Sequence, residues 1–181
     1  MFRAISMIVK LSTFFVLGWC ILIQFRKLDN MFMPYTINVI TQKDKSLELS
    51  KNIEKKLKMY GAPKSKIIVL THAVKVASTT NLSGINHNWI LAIIHTEDPE
   101  FKLNAQSPKG YKGLMGTPGN KTTGQYPDVD ILHGVHILEE KLTETNGNML
   151  NALTLYEGGN NPSARKHAIV ICQDYQKLAK I

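Results

Sequence analysis

Residues 86–118 read NHNWILAIIHTEDPEFKLNAQSPKGYKGLMGTP. The first thirteen form an apolar helical segment that starts at Asn86 or His87. Trp89, Ile90, Ile93 and Ile94 repeat at helical spacing, and Glu97 closes the last turn. Pro99 forbids continuation, because it has no backbone N–H and its ring clashes with the preceding turn. From Pro99 to about residue 127 the chain is rich in Gly, Pro, Asn, Ser and Thr, the composition of a long loop with room for one helical turn. An apolar helix that ends on Glu97, at the mouth of a long loop and with Asp98 and Glu100 beside it, is the central feature of the chain.

The segments on either side carry the same helical period. On the N-terminal side, Leu49, Ile53, Leu57 and Tyr60 mark a helix beginning near Ser46 and stopped by Gly61 and Pro63. Ile67, Leu70, Val74 and Ala77 mark a second, broken by Asn81, Ser83 and Gly84. On the C-terminal side, Asp128 or Asp130 caps a helix carrying Ile131, Val135, Leu138 and Leu142. Asn146-Gly147-Asn148 is a turn, a short helix spans about Met149 to Tyr156, and Gly158-Gly159 ends it. Pro162 suits the first turn of a last helix reaching about Lys180. No segment alternates with period two for long, so the expected fold class is all-α.

Residues 11–25, LSTFFVLGWCILIQF, are almost wholly apolar. The run fits a spanning helix of about 17–25 residues and also a signal-peptide core of about 7–15. No small-x-small cleavage site follows in RKLDNMFMPY, and Trp19 before Cys20 is too bulky for lipoprotein processing. An uncleaved signal anchor over 1–25 is therefore preferred to a cleaved signal peptide. A connector over 26–43 and one domain over 44–181 complete the expected organisation.

The chain has 181 residues and a net charge of +8. Arg3, Lys10, Arg26 and Lys27 against Asp29 place +3 in the export segment and its flanks, leaving +5 for the rest. That excess favours an anionic partner. Nucleic acid is not expected, since no recognition motif or aromatic platform is present. The lysine-rich stretch 43–66 reads as a solvated helix face, with attraction to an anionic polymer or lipid head groups as the alternative. Two cysteines supply neither a disulfide framework nor a four-ligand zinc site, and Cys172 reads as a core thiol. His133, His136 and Glu140 share a helical face, but no further ligand is evident, so neither metal nor cofactor is expected.

Glu97 is the candidate catalytic group, with a solvated carboxylate at a helix end as the alternative that the residues alone leave open. An apolar wall, the negative end of a helix and the neighbouring Asp98 all favour a protonated carboxyl, the form a general acid needs.

The ordered motifs around Glu97 resemble those of the lytic transglycosylases related to goose-type lysozyme. There an apolar helix ends in Glu-Ser and is followed by Asn-Ala-x-Ser-x-x-Gly-x-x-Gly-Leu-Met-Gln. Here the corresponding residues are Glu97-Asp98, then Asn104-Ala105-Gln106-Ser107, Gly110 and Gly113-Leu114-Met115-Gly116. The third family motif, Ala-Tyr-Asn-Ala-Gly in many members, appears as Leu155-Tyr156-Glu157-Gly158-Gly159. DVDILHGVHILEEKL looks like the family helix between motifs two and three, and Ala164-Arg165-Lys166-His167 resembles the terminal helix. The match covers roughly residues 67–178.

The resemblance implies a lysozyme-like helical domain with an active-site groove. It implies cleavage of the bond between N-acetylmuramic acid and N-acetylglucosamine in peptidoglycan. One glutamate, Glu97, would protonate the leaving oxygen and then act as base on the muramyl 6-hydroxyl, closing a 1,6-anhydro ring. A second placed carboxylate is then unnecessary, unlike in two-carboxylate glycosidases. Ser107 would donate to an acetamido or sugar oxygen, Tyr156 would help hold the glutamate, and Gly113, Leu114 and Met115 would shape the groove floor. The implied setting is the bacterial cell envelope. The domain would be anchored to the inner membrane and face the periplasm, or be released there if the N-terminal segment is cleaved, with a secretion, conjugation or phage assembly as a possible partner.

Four positions depart from the family pattern. Asp98 replaces Ser, Gly116 replaces Gln, Glu157 replaces Asn, and His167 stands where Tyr is frequent. The missing Gln removes a polar arm for saccharide. Glu157 is either solvent-exposed or faces the groove, where it would perturb Glu97 or position water for a lysozyme-like hydrolysis. A non-catalytic wall-binding or assembly protein is the remaining alternative.

Overall fold

The computed structural model describes residues 41–103, 113–117 and 126–181. The chain divides into two compact units, Met1–Leu47 and Glu48–Ile181. Of the first, the described residues 41–47 are helical. The expected anchor over 1–25 and most of the connector lie outside the described residues. Among the described residues no helix is long and apolar enough to cross a membrane, and no strand occurs. The fold is all-α.

Helix α1 runs over 41–59 and begins earlier than the apolar period at Ser46 suggests. Residues 41–45 are exposed, so periodicity marks where the helix gains a buried face and is blind to its solvated start. From Glu48 onward α1 buries Ile53 and Leu57 completely. Gly61 then takes a left-handed φ of 79°, and the Ala62 N–H closes back on the Leu57 carbonyl at 3.0 Å. This is the glycine-terminated stop that lets the last carbonyls find donors.

Helix α2, Lys64–Thr80, buries Ile67, Leu70, Ala73, Val74 and Ala77 on one face. Helix α3, His87–Glu97, begins where Asn86 accepts from the Asn88 and Trp89 N–H groups. Its residues Ile90, Leu91, Ala92, Ile93 and Ile94 are buried all round. Each large side chain contributes about 1.5–3 kcal/mol by leaving water, so α3 is held by its surroundings more than by helix propensity. Helix α4 covers Pro127–Glu144, α5 Met149–Tyr156 and α6 Pro162–Leu178. Asn148 and Asn161 cap α5 and α6 by accepting from Asn151 and Ala164 N–H.

The expected cap of α4 is corrected. The cap position is Tyr126, without a side-chain bond, and Asp128 and Asp130 lie inside the first turn. Pro127 at the first helical position needs no N–H partner, and the two carboxylates sit where the helix dipole favours negative charge. Cys172 is half-buried at the edge of the core.

The buried α3 packs against α2 and α6, while α4 packs against α2 and α5, and α5 against α6. Trp89 of α3 stacks on Tyr175 of α6 with ring centroids 3.7 Å apart, and His95 Nδ1 lies 2.7 Å from Asp174 Oδ2. These contacts seat α6 along α3 and bring the α5–α6 junction beside the C-terminal end of α3.

Candidate active site

Glu97 is the last residue of α3, and Asp98 caps that end by donating its N–H to the Ile94 carbonyl at 2.8 Å. The chain then turns sharply. Phe101 and Leu103 both have positive φ, at 52° and 66°, although neither is glycine. Three contacts hold this strained turn: the Phe101 N–H donates to the Asp98 carbonyl at 2.9 Å, the Leu103 N–H donates to Asp98 Oδ2 at 3.1 Å, and Lys66 Nζ donates to the Phe101 carbonyl at 2.5 Å. Asp98 is 2% exposed. Its carboxylate therefore shapes the turn after the helix, which is a different use from the charge effect on Glu97 that adjacency suggests.

Within the segment 113–117, Gly116 lies against the Glu97 side chain. Gly116 has φ of 56°, and a Cβ built there would overlap Glu97 Oε2 and lie 3.0 Å from its carboxyl carbon. The Glu97 carboxylate thus rests on bare backbone. Leu114 and Met115 are fully buried, so they support this backbone from beneath and present no face to a ligand. The same segment is backed by α4. A Cβ on Gly134 would meet Met115 Sδ at 2.7 Å and its Cβ at 2.8 Å, so the helix approaches closely only because residue 134 lacks a side chain.

The hydroxyl of Tyr156, at the end of α5, donates to the Met115 carbonyl at 2.6 Å. Its role is thus to fix the 113–117 segment, which is one step removed from holding the glutamate directly. Burial, followed by the charges of Glu97 and Glu157, raises the pKa of this phenol well above its ordinary value, so it stays a donor.

Glu157 follows at the α5 C-cap, with its side chain only 8% exposed, so it faces inward. It is joined to His167, one and a half turns into α6, with Glu157 Oε2 2.5 Å from His167 Nδ1. Glu97 Oε1 lies 3.6 Å from the same ring nitrogen. Glu97 is 13% exposed and His167 43%, so the imidazole forms the open side of the cluster.

No family model, curated protein or solved structure matches this chain. Gly116, Glu157 and His167 meet at the Glu97 carboxylate, and Tyr156 is tied to the adjoining Met115 backbone. Gly113 and Leu114 belong to the same short segment, while Ser107 and Gly110 lie outside the described residues. The sequence reading missed Gly134 and the positive role of Gly116. A glycine inside an otherwise regular helix was the available signal for the first. His136 pairs with Glu139 and Glu140 on the α4 surface, at 4.0 and 3.4 Å, and takes no part in the site. A separate polar hollow lined by Thr145, Asn151, Thr154 and Arg165 contains none of the predicted residues.

Proposed function

We propose that this protein is a peptidoglycan lytic transglycosylase with a lysozyme-like helical domain, held at the bacterial cell envelope by its N-terminal segment. The observation that carries the reading is the setting of Glu97. One largely buried carboxylate stands at the end of an apolar helix, its Oε2 against the Gly116 backbone and its Oε1 toward His167.

In the reaction, the Glu97 carboxyl gives its proton to the glycosidic oxygen as the bond from muramyl C1 to that oxygen breaks. The carboxylate then takes the proton of the muramyl 6-hydroxyl, and that oxygen bonds to C1. The products are a 1,6-anhydro-muramyl end and a free 4-hydroxyl, with no water consumed. General acid–base assistance of this kind is worth about 10²–10⁴-fold.

Glu157 does not suit the part of a second catalytic carboxylate. Ligand atoms of Glu97, Glu157 and His167 all lie within 4.8 Å of one another. An inverting hydrolase keeps its carboxyls about 6.5–9.5 Å apart to admit water. A retaining nucleophile must face the sugar, whereas Glu157 is buried on His167. The basic excess suits an anionic wall polymer, and a secretion, conjugation or phage assembly is the proposed context.

Mass spectrometry of purified peptidoglycan digested with the full chain tests the reading. Anhydro-muramyl ends are expected, with turnover reduced about 10²-fold or more in Glu97→Gln. Reducing ends would move the assignment to a hydrolase. Wall binding without turnover in either form would leave a non-catalytic binder.

A further inference from the structure

The Glu97–Glu157–His167 cluster has a composition that proton transfer from one glutamate does not require. Among the described residues these are the only three metal-ligating side chains that converge closely enough to hold an ion, with one ligand atom from each inside 4.8 Å. They come from three different elements, the end of α3, the cap of α5 and the second turn of α6. They do not arise from one helix presenting acids to solvent.

We propose that Glu97, Glu157 and His167 form a binding site for a divalent cation of the zinc type, through Glu97 Oε1, Glu157 Oε2 and His167 Nδ1. The donor set is one imidazole nitrogen and two carboxylate oxygens, which suits zinc and cobalt better than calcium or magnesium, whose sites are built from oxygen alone. Zinc bonds nitrogen and oxygen at about 2.0–2.2 Å, so adjacent ligand atoms in a tetrahedral site lie about 3.4 Å apart. The distance from His167 Nδ1 to Glu97 Oε1 is already 3.6 Å. The distance from Nδ1 to Glu157 Oε2 is 2.5 Å and has to open by roughly an ångström when a metal replaces the shared proton.

Two further features support the fit. Two carboxylates balance the charge of a dication in a largely buried place, which offsets part of the cost of burying it. The backbone at Gly116 fixes the glutamate from its Oε2 side and leaves Oε1 turned to the imidazole. Three protein ligands leave a fourth position, which water would fill.

Binding of the metal stands apart from the proposed reaction, but its consequence rests on it. A cation on Glu97 Oε1 removes the proton donor, so zinc would switch wall cleavage off. The experiment titrates the full chain with cobalt(II), follows the visible d–d absorption, and then displaces cobalt with zinc. One saturable site with a four-coordinate spectrum is expected, with affinity at least about tenfold weaker in His167→Gln and in Glu157→Gln. Circular dichroism checks that both variants keep their helix content. His136→Gln, which alters the surface group on α4, should leave the titration unchanged. Absence of saturable binding overturns the proposal. So does binding that both site variants leave intact, or binding that His136→Gln abolishes. A cobalt spectrum in a chain that releases no anhydro-muropeptides would keep the metal site and sink the transglycosylase reading. Anhydro-muropeptide release that zinc leaves unaffected, with no cobalt spectrum, would do the reverse.

Discussion

At residue 116 the missing side chain decides where the candidate acid lies. The family resemblance makes Gly116 look like a lost glutamine, yet its φ of 56° and the overlap of any Cβ with Glu97 Oε2 show a position built for glycine. A side chain there meets two costs, about 1 kcal/mol or more for the left-handed backbone and the displacement of Glu97. Gly116→Ala is therefore expected to lower stability to urea by about 1–2 kcal/mol. It should also reduce anhydro-muropeptide release by about 10²-fold, since a misplacement near an ångström has that effect on a reacting group. Loss of stability with full activity would show that Glu97 does not rest on this backbone. The sequence pattern led to Glu97, Tyr156, Glu157 and His167. It did not reveal the cradle at Gly116, because that depends on the backbone of one segment meeting the Glu97 side chain from another, which no local periodicity records.

Among the elements, α3 was the most legible. Its cap Asn86, its apolar run and its stop before Pro99 are all written locally. The start of α1 and the cap of α4 were less so. Exposed helix carries no apolar signal, and a proline at the first position replaces the side-chain cap that the acidic residues suggested. The N-terminal turn of α3 also has a property that periodicity does not show. Burial, and then the nearby Lys56 charge, lower the His87 pKa to about 4 from an ordinary 6.5. His87 Nε2 lies 3.2 Å from Asn52 Oδ1, and Lys56, itself 3% exposed, donates to Asn88 Oδ1 at 2.7 Å. Below pH 6.5 the unfolded chain binds a proton on His87 that the folded chain refuses until about pH 4. Stability is thus expected to fall with acidification across that window and to be insensitive to this residue above it. His87→Gln should flatten the pH dependence of the urea midpoint between those limits. An unchanged slope would mean that the imidazole protonates freely in the folded state.

At the scale of the whole folded unit, the union of α3 with α6 decides whether the cluster exists, because Glu97 and His167 sit on opposite sides of that seam. Asp174 is its polar fastener. Burial alone would push this carboxyl up, but hydrogen bonds from Lys177 and His95 outweigh it and hold the pKa below the ordinary 3.8. The stabilisation is present above pH 3.8 and fades as pH falls through the lower folded value. Asp174→Asn should therefore destabilise the protein at neutral pH by about 1–3 kcal/mol and make the acid limb of its stability profile shallower, both read by urea titration. An Asn variant as stable as the parent at neutral pH would remove Asp174 from this account. The apolar half of the same seam, Trp89 stacked at 3.7 Å and 10° on Tyr175, has an optical consequence. Two aromatic rings held nearly parallel in a chiral, rigid setting couple their electronic transitions. With Trp19 replaced by phenylalanine, Trp89 is the only indole left in the chain. Its near-ultraviolet dichroic band then becomes a built-in gauge of whether α6 is seated on α3, readable during a metal or wall-fragment titration without attaching any dye.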